Sequence, residues 1–133
     1  MITREADYAI RVALYLASQA GDRHISAMEI SEKMFLPYRF SRKIIRKFCK
    51  TGLIGASRGK EGGVFLLKSP DDISIRDILE IFDPKSLLLN SCCKENSHCP
   101  RKQKCNVHDK MELIQKKLNN QLEKISLSEL LDD

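Results

Sequence analysis

The feature that most limits the possible folds of this chain is a basic helix followed directly by a glycine-rich hairpin. The stretch PYRFSRKIIRKFCKTG predicts a helix with apolar residues at three- and four-residue steps. Its apolar face is formed by Phe40, Ile44, Ile45 and Phe48. Residues 53–57 and 64–68 then predict two strands joined by the turn RGKEGG, whose glycines allow a positive φ. A basic helix followed by such a hairpin, or wing, indicates a winged helix.

The segment before the basic helix predicts the first half of a helix-turn-helix. In HISAMEISEKMFLP, Ser26 can cap a short helix, Glu29 can complete a capping box, and Pro37 restricts the chain beyond it. Two short helices joined by a tight turn, the second of them basic, are typical of DNA-reading modules. A longer helix is predicted before them at residues 3–20, with Gly21 as its stop.

Charge is segregated along the chain, whose net charge is +5. Residues 36–68 hold nine Lys or Arg and one Glu, whereas residues 71–83 hold five acids and one Arg. A basic block in a folded segment indicates a polyanionic partner, here double-stranded DNA, although an ordinary solvated surface is the alternative. Single-stranded RNA is disfavoured because the segment lacks an aromatic stacking platform. The candidate DNA-binding residues are Arg39, Arg42, Lys43, Arg46, Lys47, Arg58 and Lys60.

The rest of the chain predicts a fourth helix, an irregular segment and a long last helix. Ser74 and Asp77 suit a capping box for a helix that ends before Pro84. Residues 84–105 lack clear periodicity, and an irregular loop of this length is commonly functional. From residue 106 to 125, an almost heptad apolar stripe favours a symmetric homodimer. The stripe consists of Val107, Met111, Ile114, Leu118, Leu122 and Ile125.

These elements predict a mainly α fold with a small β-hairpin, in which a winged helix-turn-helix precedes a long C-terminal dimerisation helix. The expected organisation is a DNA-binding domain at residues 1–83, a cysteine-rich loop at 84–105, and the dimerisation helix with its tail at 106–133. No run reaches the roughly 18 apolar residues of a membrane helix, and the charged start MITREAD resembles no secretory signal. A cytoplasmic protein without a membrane partner is therefore expected. Because no oxyanion-hole motif or pocket signature is evident, neither an enzyme nor a small-molecule substrate is expected.

Four of the five cysteines lie within SCCKENSHCPRKQKC. The core pattern is Cys93-x5-Cys99-x5-Cys105-x2-His108, with Cys92 as an extra neighbour. Thiolates and an imidazole on one loop suit a soft or borderline metal. The five-residue gaps are wider than the cysteine pairs of structural zinc sites and favour an iron–sulfur cluster. Zinc, redox-active thiols, a disulfide and a loop without function remain alternatives.

Several strings of the chain resemble one family of regulators. MITREADYAIRVALYLA is similar to that family's first helix, and GLIGASRGKEGGVFLLKSPDDISIRDILEIFD to its wing and following helix. CCKENSHCPRKQKCNVHDK is similar to its cluster loop, and ISLSELL to its terminal segment. On these strings, which together extend over essentially the whole chain, the protein resembles the IscR/NsrR-type winged-helix regulators, the Rrf-two family.

This resemblance implies a homodimeric, sequence-specific regulator of transcription, a repressor or an activator, that binds a palindromic operator in double-stranded DNA. It implies that the loop at 84–105 binds an iron–sulfur cluster, through which the protein senses iron–sulfur status, redox state or nitric oxide. By position, three of the cluster's ligands are Cys93, Cys99 and Cys105. A zinc-stabilised or thiol-redox winged-helix regulator without a cluster is the alternative function.

The fourth ligand and the cluster type are linked in this family. In the IscR branch a histidine at the position of His108 completes a 2Fe–2S cluster, whereas some NsrR-branch members use an aspartate of the partner subunit and a 4Fe–4S cluster. Asp7 stands at that aspartate's place. His108 and 2Fe–2S are favoured because imidazole binds iron well and the spacing matches. Cys92 is a possible register-shifted ligand, and Arg42 replaces an acidic residue that discriminates between operators in the IscR branch, so a different operator is expected.

Overall fold

The computed structural model describes residues 1–19 and 23–131, which form a mainly helical structure with one two-stranded antiparallel hairpin. The helices and strands are α1 Arg4–Ser18, α2 Ala27–Met34, α3 Tyr38–Thr51, β1 Ile54–Ser57, β2 Gly63–Leu66, α4 Ile75–Phe82, α5 Asn106–Lys124 and α6 Leu127–Leu131. The predicted fold class, a winged helix-turn-helix followed by a long helix, is confirmed. Within the described residues, no helix combines the length and the hydrophobicity needed to cross a bilayer.

Helix α1 occupies the centre of the core because its inward face is made of small residues. Ala6, Ala9 and Ala13 are fully buried, which lets α3, α4 and α6 pack closely around the helix. Thr3 caps it, since its Oγ1 accepts a hydrogen bond of 3.2 Å from the N–H of Ala6. The helix ends at Ser18, and its predicted end at residue 20 and stop at Gly21 lie outside the described residues.

The first helix of the helix-turn-helix is capped as predicted, but the capping box is only half formed. The N–H of Glu29 donates a 3.1 Å hydrogen bond to Ser26 Oγ. The Glu29 carboxylate does not return this bond; it accepts one of 2.7 Å from the Tyr15 hydroxyl and pairs with Arg23. The prediction of a full box is therefore wrong, because α1 offers this carboxylate a tertiary partner.

Helix α3 buries one face and leaves its cations on the other. Ile44 and Phe48 are fully buried, and the Phe48 ring meets the edge of Phe82 at a centroid distance of 4.7 Å. Phe40, which was predicted on the buried face, is 38% exposed and packs edge-on against Tyr8. Ser41 takes the inward position instead, because it shares a helix face with Ile44 and Phe48.

The wing is attached to the domain by a short additional pairing. Ile54 pairs with Leu66 and Ser57 with Gly63 in the hairpin. Ile25 then adds a bridge on the other side of β2: its N–H donates to the Val64 carbonyl at 3.0 Å, and the Val64 N–H donates back at 2.8 Å. The base of the wing is thereby fixed to the chain that leads into α2.

The C-terminal helix returns to the core of the first segment. Ser74 and Asp77 form the predicted capping box of α4. Beside it, the N–H of Leu127 donates to the Ile73 carbonyl at 2.9 Å, and the Leu127 side chain is fully buried. Residues of the segment 106–133 therefore complete the core formed by residues 1–83, while α5 spans the distance between the cysteine loop and this core.

Candidate metal centre and nucleic-acid interface

The basic residues of α3 share one surface. Their side chains line a shallow depression of about 310 Å³, formed by Tyr38, Arg39, Arg42, Lys43 and Arg46. The Arg42 guanidinium lies 5.8 Å from the centroid of the Tyr38 ring, and Lys43 Nζ lies 3.4 Å from the Glu5 carboxylate. The fold therefore holds four of the predicted DNA-binding cations together on the exposed side of α3.

The remaining predicted cations are on the wing and at the far end of α3. Arg58 and Lys60 are exposed on the turn between β1 and β2. Lys47 places its Nζ 5.0 Å from the centroid of the Phe82 ring, so part of this side chain rests on α4. Phe82 is the last residue of α4, so Lys47 joins the basic helix to the end of α4.

His24 supports the wing, a role that its sequence context did not indicate. Its ring stacks on Phe65 of β2 with a centroid distance of 4.4 Å, and its Nδ1 lies 2.6 Å from Ser57 Oγ. Both partners are more than thirty positions away in sequence, so no local spacing could have revealed them. The orientation of the hairpin therefore depends on a residue that precedes α2.

The cysteine loop brings two consecutive thiols against the first turn of α5. A 3-10 turn, Ser91–Cys93, presents Cys92 and Cys93 to His108. The ligand atoms of these three side chains all lie within 4.8 Å of one another. Of the predicted donors, Cys93 and His108 are thus in one group, and Cys92 joins them.

The other two predicted thiols border the same region. A cavity of about 920 Å³ is lined in part by Cys92, Cys99, Cys105 and His108. Cys105 also caps α5, because its Sγ accepts a 3.4 Å hydrogen bond from the N–H of His108. No disulfide joins any of the five cysteines, all of which the structure describes. Three free thiols of the described loop therefore border the cavity, whereas Cys93 is not among its lining residues.

His108 has a buried imidazole nitrogen that lacks a hydrogen-bond partner within the described residues. This nitrogen is Nδ1, and the residue is only 7% exposed. Its Nε2 lies 3.9 Å from the Glu112 carboxylate. A buried nitrogen without a partner destabilises the fold unless something else satisfies it. Since the thiols of Cys92 and Cys93 lie beside this imidazole, the donor set fits a soft or borderline metal centre.

The surroundings change the acidity of two of the thiols in opposite directions. The backbone N–H of Arg101 lowers the pKa of the Cys99 thiol, and the Arg101 guanidinium adds to this effect. Burial raises the pKa of the Cys92 thiol, as does its hydrogen bond with Cys93. The thiolate form, which binds metals, is thus easier to reach at Cys99 than at Cys92 in the absence of a metal.

Asp7, the alternative fourth ligand, lies elsewhere on the chain. Its carboxylate accepts a 3.0 Å hydrogen bond from Arg11 Nε one turn later on α1, and the side chain is half-exposed. It is not in the group formed by Cys92, Cys93 and His108 in the described chain. Within the described chain, Asp7 therefore does not join the other candidate donors.

Gln115 connects the start of the cysteine loop to α5, and the sequence reasoning missed it. Its Nε2 donates to the Leu87 carbonyl and, at 2.9 Å, to Asn119 Oδ1, while its Oε1 accepts from the Leu89 N–H. The residue is buried. The available signal was its position seven residues after His108, which places both polar side chains on one face of the helix.

The apolar stripe of α5 is largely exposed. Val107 is 60% exposed and Ile114 is 50% exposed, and Leu118 is also exposed to solvent. The residues that α5 does bury are His108 and Gln115. Leu122, farther along the stripe, packs against the core of its own chain. The exposed part of the stripe, at Val107, Ile114 and Leu118, is therefore a candidate interaction surface.

Solved structures with the same architecture are known. CymR (YrzC), the global cysteine regulator of B. subtilis, has a TM-score of 0.78 and 20% identity, covering 98% of this chain and 95% of that one. T. potens IscR has a TM-score of 0.74 and 24% identity, covering 100% and 87%. Staphylococcus aureus CymR has a TM-score of 0.73 and 19% identity, covering 98% of each. At these identities the likeness shows the fold.

The fold and the basic helix define a winged-helix protein of the DNA-binding regulator class. The sequence profile of the Rrf2 family, described as iron-dependent transcriptional regulator, matches residues 2–133. The chain belongs to the Rrf2 family, which confirms the resemblance noted from its sequence. It is accordingly a transcriptional regulator and not an enzyme.

Proposed function

We propose that this chain is a homodimeric regulator that binds specific DNA sequences and senses iron–sulfur status, redox state or nitric oxide through an iron–sulfur cluster. The observation that carries the proposal is the buried Nδ1 of His108, which lacks a partner within the described residues and lies among the thiols of the cysteine loop. The description of the family as iron-dependent supports it, as does the presence of IscR among the similar structures.

The proposed ligands are Cys93, Cys99 and Cys105, with His108 as the fourth and a 2Fe–2S cluster as the favoured group. Cys99 and Cys105 border the cavity from the loop, and His108 closes it from α5. When bound, the cluster supplies a centre that oxidants or nitric oxide can alter. Asp7 of the partner subunit with a 4Fe–4S cluster is the alternative, and comparing Asp7→Asn with His108→Ala distinguishes the two.

The DNA-binding part of the proposal rests on the shared basic surface of α3. Arg39, Arg42 and Lys43 lie near the start of the helix, where side chains of a recognition helix reach base edges in the major groove. Arg46 and Lys47 suit phosphate contacts, which position the protein on the duplex. Lys60 and Arg58 extend the contact through the wing. A symmetric dimer would bind a palindromic operator. Because the proposed target is DNA, we expect the protein to act in the cytoplasm.

Signal transfer is proposed to run from the loop through α5. Gln115 holds the backbone of Leu87 and Leu89, so the loop and the helix move together. At the other end of the loop, Cys105 caps the same helix. If α5 forms the dimer, a change in the loop alters the spacing of the two recognition helices. Operator binding needs half-sites at a fixed separation, so a small shift changes affinity.

The test is the DNA affinity of Cys99→Ala, measured by fluorescence anisotropy on an operator selected from random duplexes. The variant is expected to change affinity in the same direction as removal of the cluster from the wild type, because both release the loop. Cys49→Ala is the control for loss of a thiol outside the loop, since Cys49 lies on α3 and packs, partly buried, against the core. A Cys99→Ala protein that binds DNA as the intact holo-protein does contradicts cluster sensing.

Anaerobic purification separates the proposal from its alternative. Bound iron and sulfide with visible absorption are expected for the cluster protein. A colourless protein that contains zinc, or no metal, instead supports a zinc-stabilised or thiol-redox regulator of the same fold.

A further inference from the structure

Cys92 has no role in the ligand set proposed above, yet the structure places it in a compact group of three metal-binding side chains. Its Sγ, the Sγ of Cys93 and an imidazole nitrogen of His108 lie within 4.8 Å of one another. Cys99 and Cys105 do not belong to that group. The loop thus offers a second set of donors that overlaps the first in Cys93 and His108.

We propose that, in the cluster-free protein, Cys92, Cys93 and His108 bind a single divalent cation of zinc-like softness. The proposal shares two residues with the cluster site, but it does not depend on cluster sensing. It assigns to the cysteine pair a site for one metal ion, in addition to the larger site for a cluster.

The geometry of the group suits one ion. Tetrahedral zinc has bonds of about 2.3 Å to sulfur and about 2.0 Å to nitrogen, so its ligand atoms lie about 3.5–3.8 Å apart. The three donors of this chain are already within 4.8 Å of each other, so rotation of the cysteine side chains closes the site. The 3-10 turn Ser91–Cys93 packs against α5, which keeps both thiols beside His108.

The imidazole is arranged for metal binding. Glu112, one turn along α5, places its carboxylate 3.9 Å from Nε2. A proton on Nε2 faces that carboxylate and leaves the lone pair on the buried Nδ1, the nitrogen without a partner. Histidine ligands commonly face a carboxylate through their second nitrogen. At 3.9 Å the Glu112 carboxylate faces the imidazole without a direct hydrogen bond.

The residues of this group supply three ligands for the ion, and binding requires no other reactant. The Cys92 and Cys93 thiols each lose a proton as their sulfur atoms bind the ion, so two protons are released to solvent. Neutral His108 is the third ligand, and the fourth position faces the cavity that Cys92 and His108 line, where water fills it. The same cavity gives the ion access from solvent.

The two donor sets cannot be used together, because each needs Cys93 and His108. One divalent ion at the small site therefore blocks assembly of the cluster at the large one. A protein that has lost its cluster would hold the ion instead, and the availability of such ions would set how easily the cluster returns.

The experiment is a titration of reduced, cluster-free full-length protein with Co²⁺ under anaerobic conditions. One Co²⁺ per chain is expected, with thiolate-to-cobalt charge transfer and the intense d–d bands of tetrahedral cobalt. Cys92→Ala is expected to weaken this binding by more than the roughly 10–100-fold that loss of an outer-sphere partner costs. Cys99→Ala should bind Co²⁺ as the wild type does, and Cys49→Ala is the control for loss of a thiol outside the loop.

Two results overturn the inference: Cys92→Ala that binds Co²⁺ with wild-type affinity, or Cys99→Ala that loses as much affinity as Cys92→Ala. Iron–sulfur reconstitution of the same variants tests the proposed function separately, since it should succeed with Cys92→Ala and fail with Cys99→Ala. If cobalt binds through Cys92 but no variant assembles a cluster, the proposed function is contradicted and the small metal site stands. If the cluster assembles but cobalt does not bind, the small metal site is contradicted and the proposed function stands.

Discussion

Phe35, just before the basic helix, has a left-handed backbone conformation that is unusual for a residue other than glycine. It ends α2 with φ 57° and ψ 44°, in the left-handed region, and its side chain is 92% exposed. A bulky residue there is strained by its β-carbon, whereas Asn tolerates the conformation. The strain lies in the turn of the helix-turn-helix, where the ring gains almost no burial to offset it.

Phe35→Asn is expected to raise the free energy of unfolding by about 1 kcal/mol, because Asn relieves the left-handed strain while little packing is lost. Denaturant unfolding followed by circular dichroism measures it. Phe35→Ala is the matched control, since it removes the ring and keeps the strained β-carbon, and it should leave stability within about 0.5 kcal/mol of the wild type. Equal stabilities for the two variants would show that the backbone stores no such strain.

Residues whose roles are local were predictable from the sequence, and residues with distant partners were not. The caps at Ser26 and Ser74 were predicted because a cap and its acceptor are three positions apart. Glu29 departed from prediction because Tyr15 and Arg23 compete for its carboxylate. The donors of the candidate metal centre were recognisable by residue type. The proximity of Cys92 to His108 was not predictable, because it results from the packing of the loop on α5 and not from the spacing of residues in the sequence.

Gly63 is a wing glycine that no other residue can replace without movement of the backbone. A β-carbon at Gly63 would lie 2.6 Å from the carbonyl carbon and oxygen of Ile25. Those Ile25 atoms belong to the bridge that fixes β2 to the domain. Backbone atoms cannot yield as a flexible side chain can, so the close approach is the reason for glycine at this position.

Gly63→Ala is expected to destabilise the fold by about 1–3 kcal/mol and to weaken DNA binding, because the β-carbon separates β2 from Ile25. Thermal unfolding and DNA anisotropy measure the two effects. Lys60→Ala, on the tip of the same wing, should weaken DNA binding and reduce the salt slope by about 1 while stability stays unchanged. Wild-type stability for Gly63→Ala would mean that the bridge to Ile25 does not hold the wing.

Among the elements, the regular ones were the predictable ones. The periodicity of α3 and α5 gave helices at nearly the observed limits, Tyr38–Thr51 and Asn106–Lys124. Between α4 and α5 the regular structure of the chain consists of three short 3-10 turns: Pro84–Leu87, Ser91–Cys93 and Lys102–Lys104. Such turns have no period for a sequence to display. Gln115 holds the backbone of Leu87 and Leu89 near one end of the segment, and Cys105 caps α5 at the other end.

The whole molecule presents an apolar face that its own chain does not cover. Val107, Ile114 and Leu118 of the apolar stripe on α5 are exposed. The residues that α5 buries, His108 and Gln115, are polar. A second copy of the same helix is the partner that a near-heptad stripe fits. Homodimerisation through α5 is therefore the assembly we expect.

Ile114→Lys is expected to convert the dimer to a monomer, because it places a charge in the middle of the stripe. Sedimentation velocity at several concentrations measures the change. Asn120→Lys adds the same charge on the opposite, exposed face of α5 and should remain dimeric. An Ile114→Lys protein with wild-type mass in solution would assign the dimer contact to another surface.

The return of α6 to the core sets the order in which the protein can be completed during synthesis. The Leu127 side chain fills a site beside α1, and the Leu127 N–H pairs with Ile73, 54 positions earlier in the chain. Chains are made at about 5–20 residues per second, so the cysteine loop and α5 leave the ribosome before this core can close. The cysteine loop and α5 are therefore both synthesised before the DNA-binding domain has the last residues of its core.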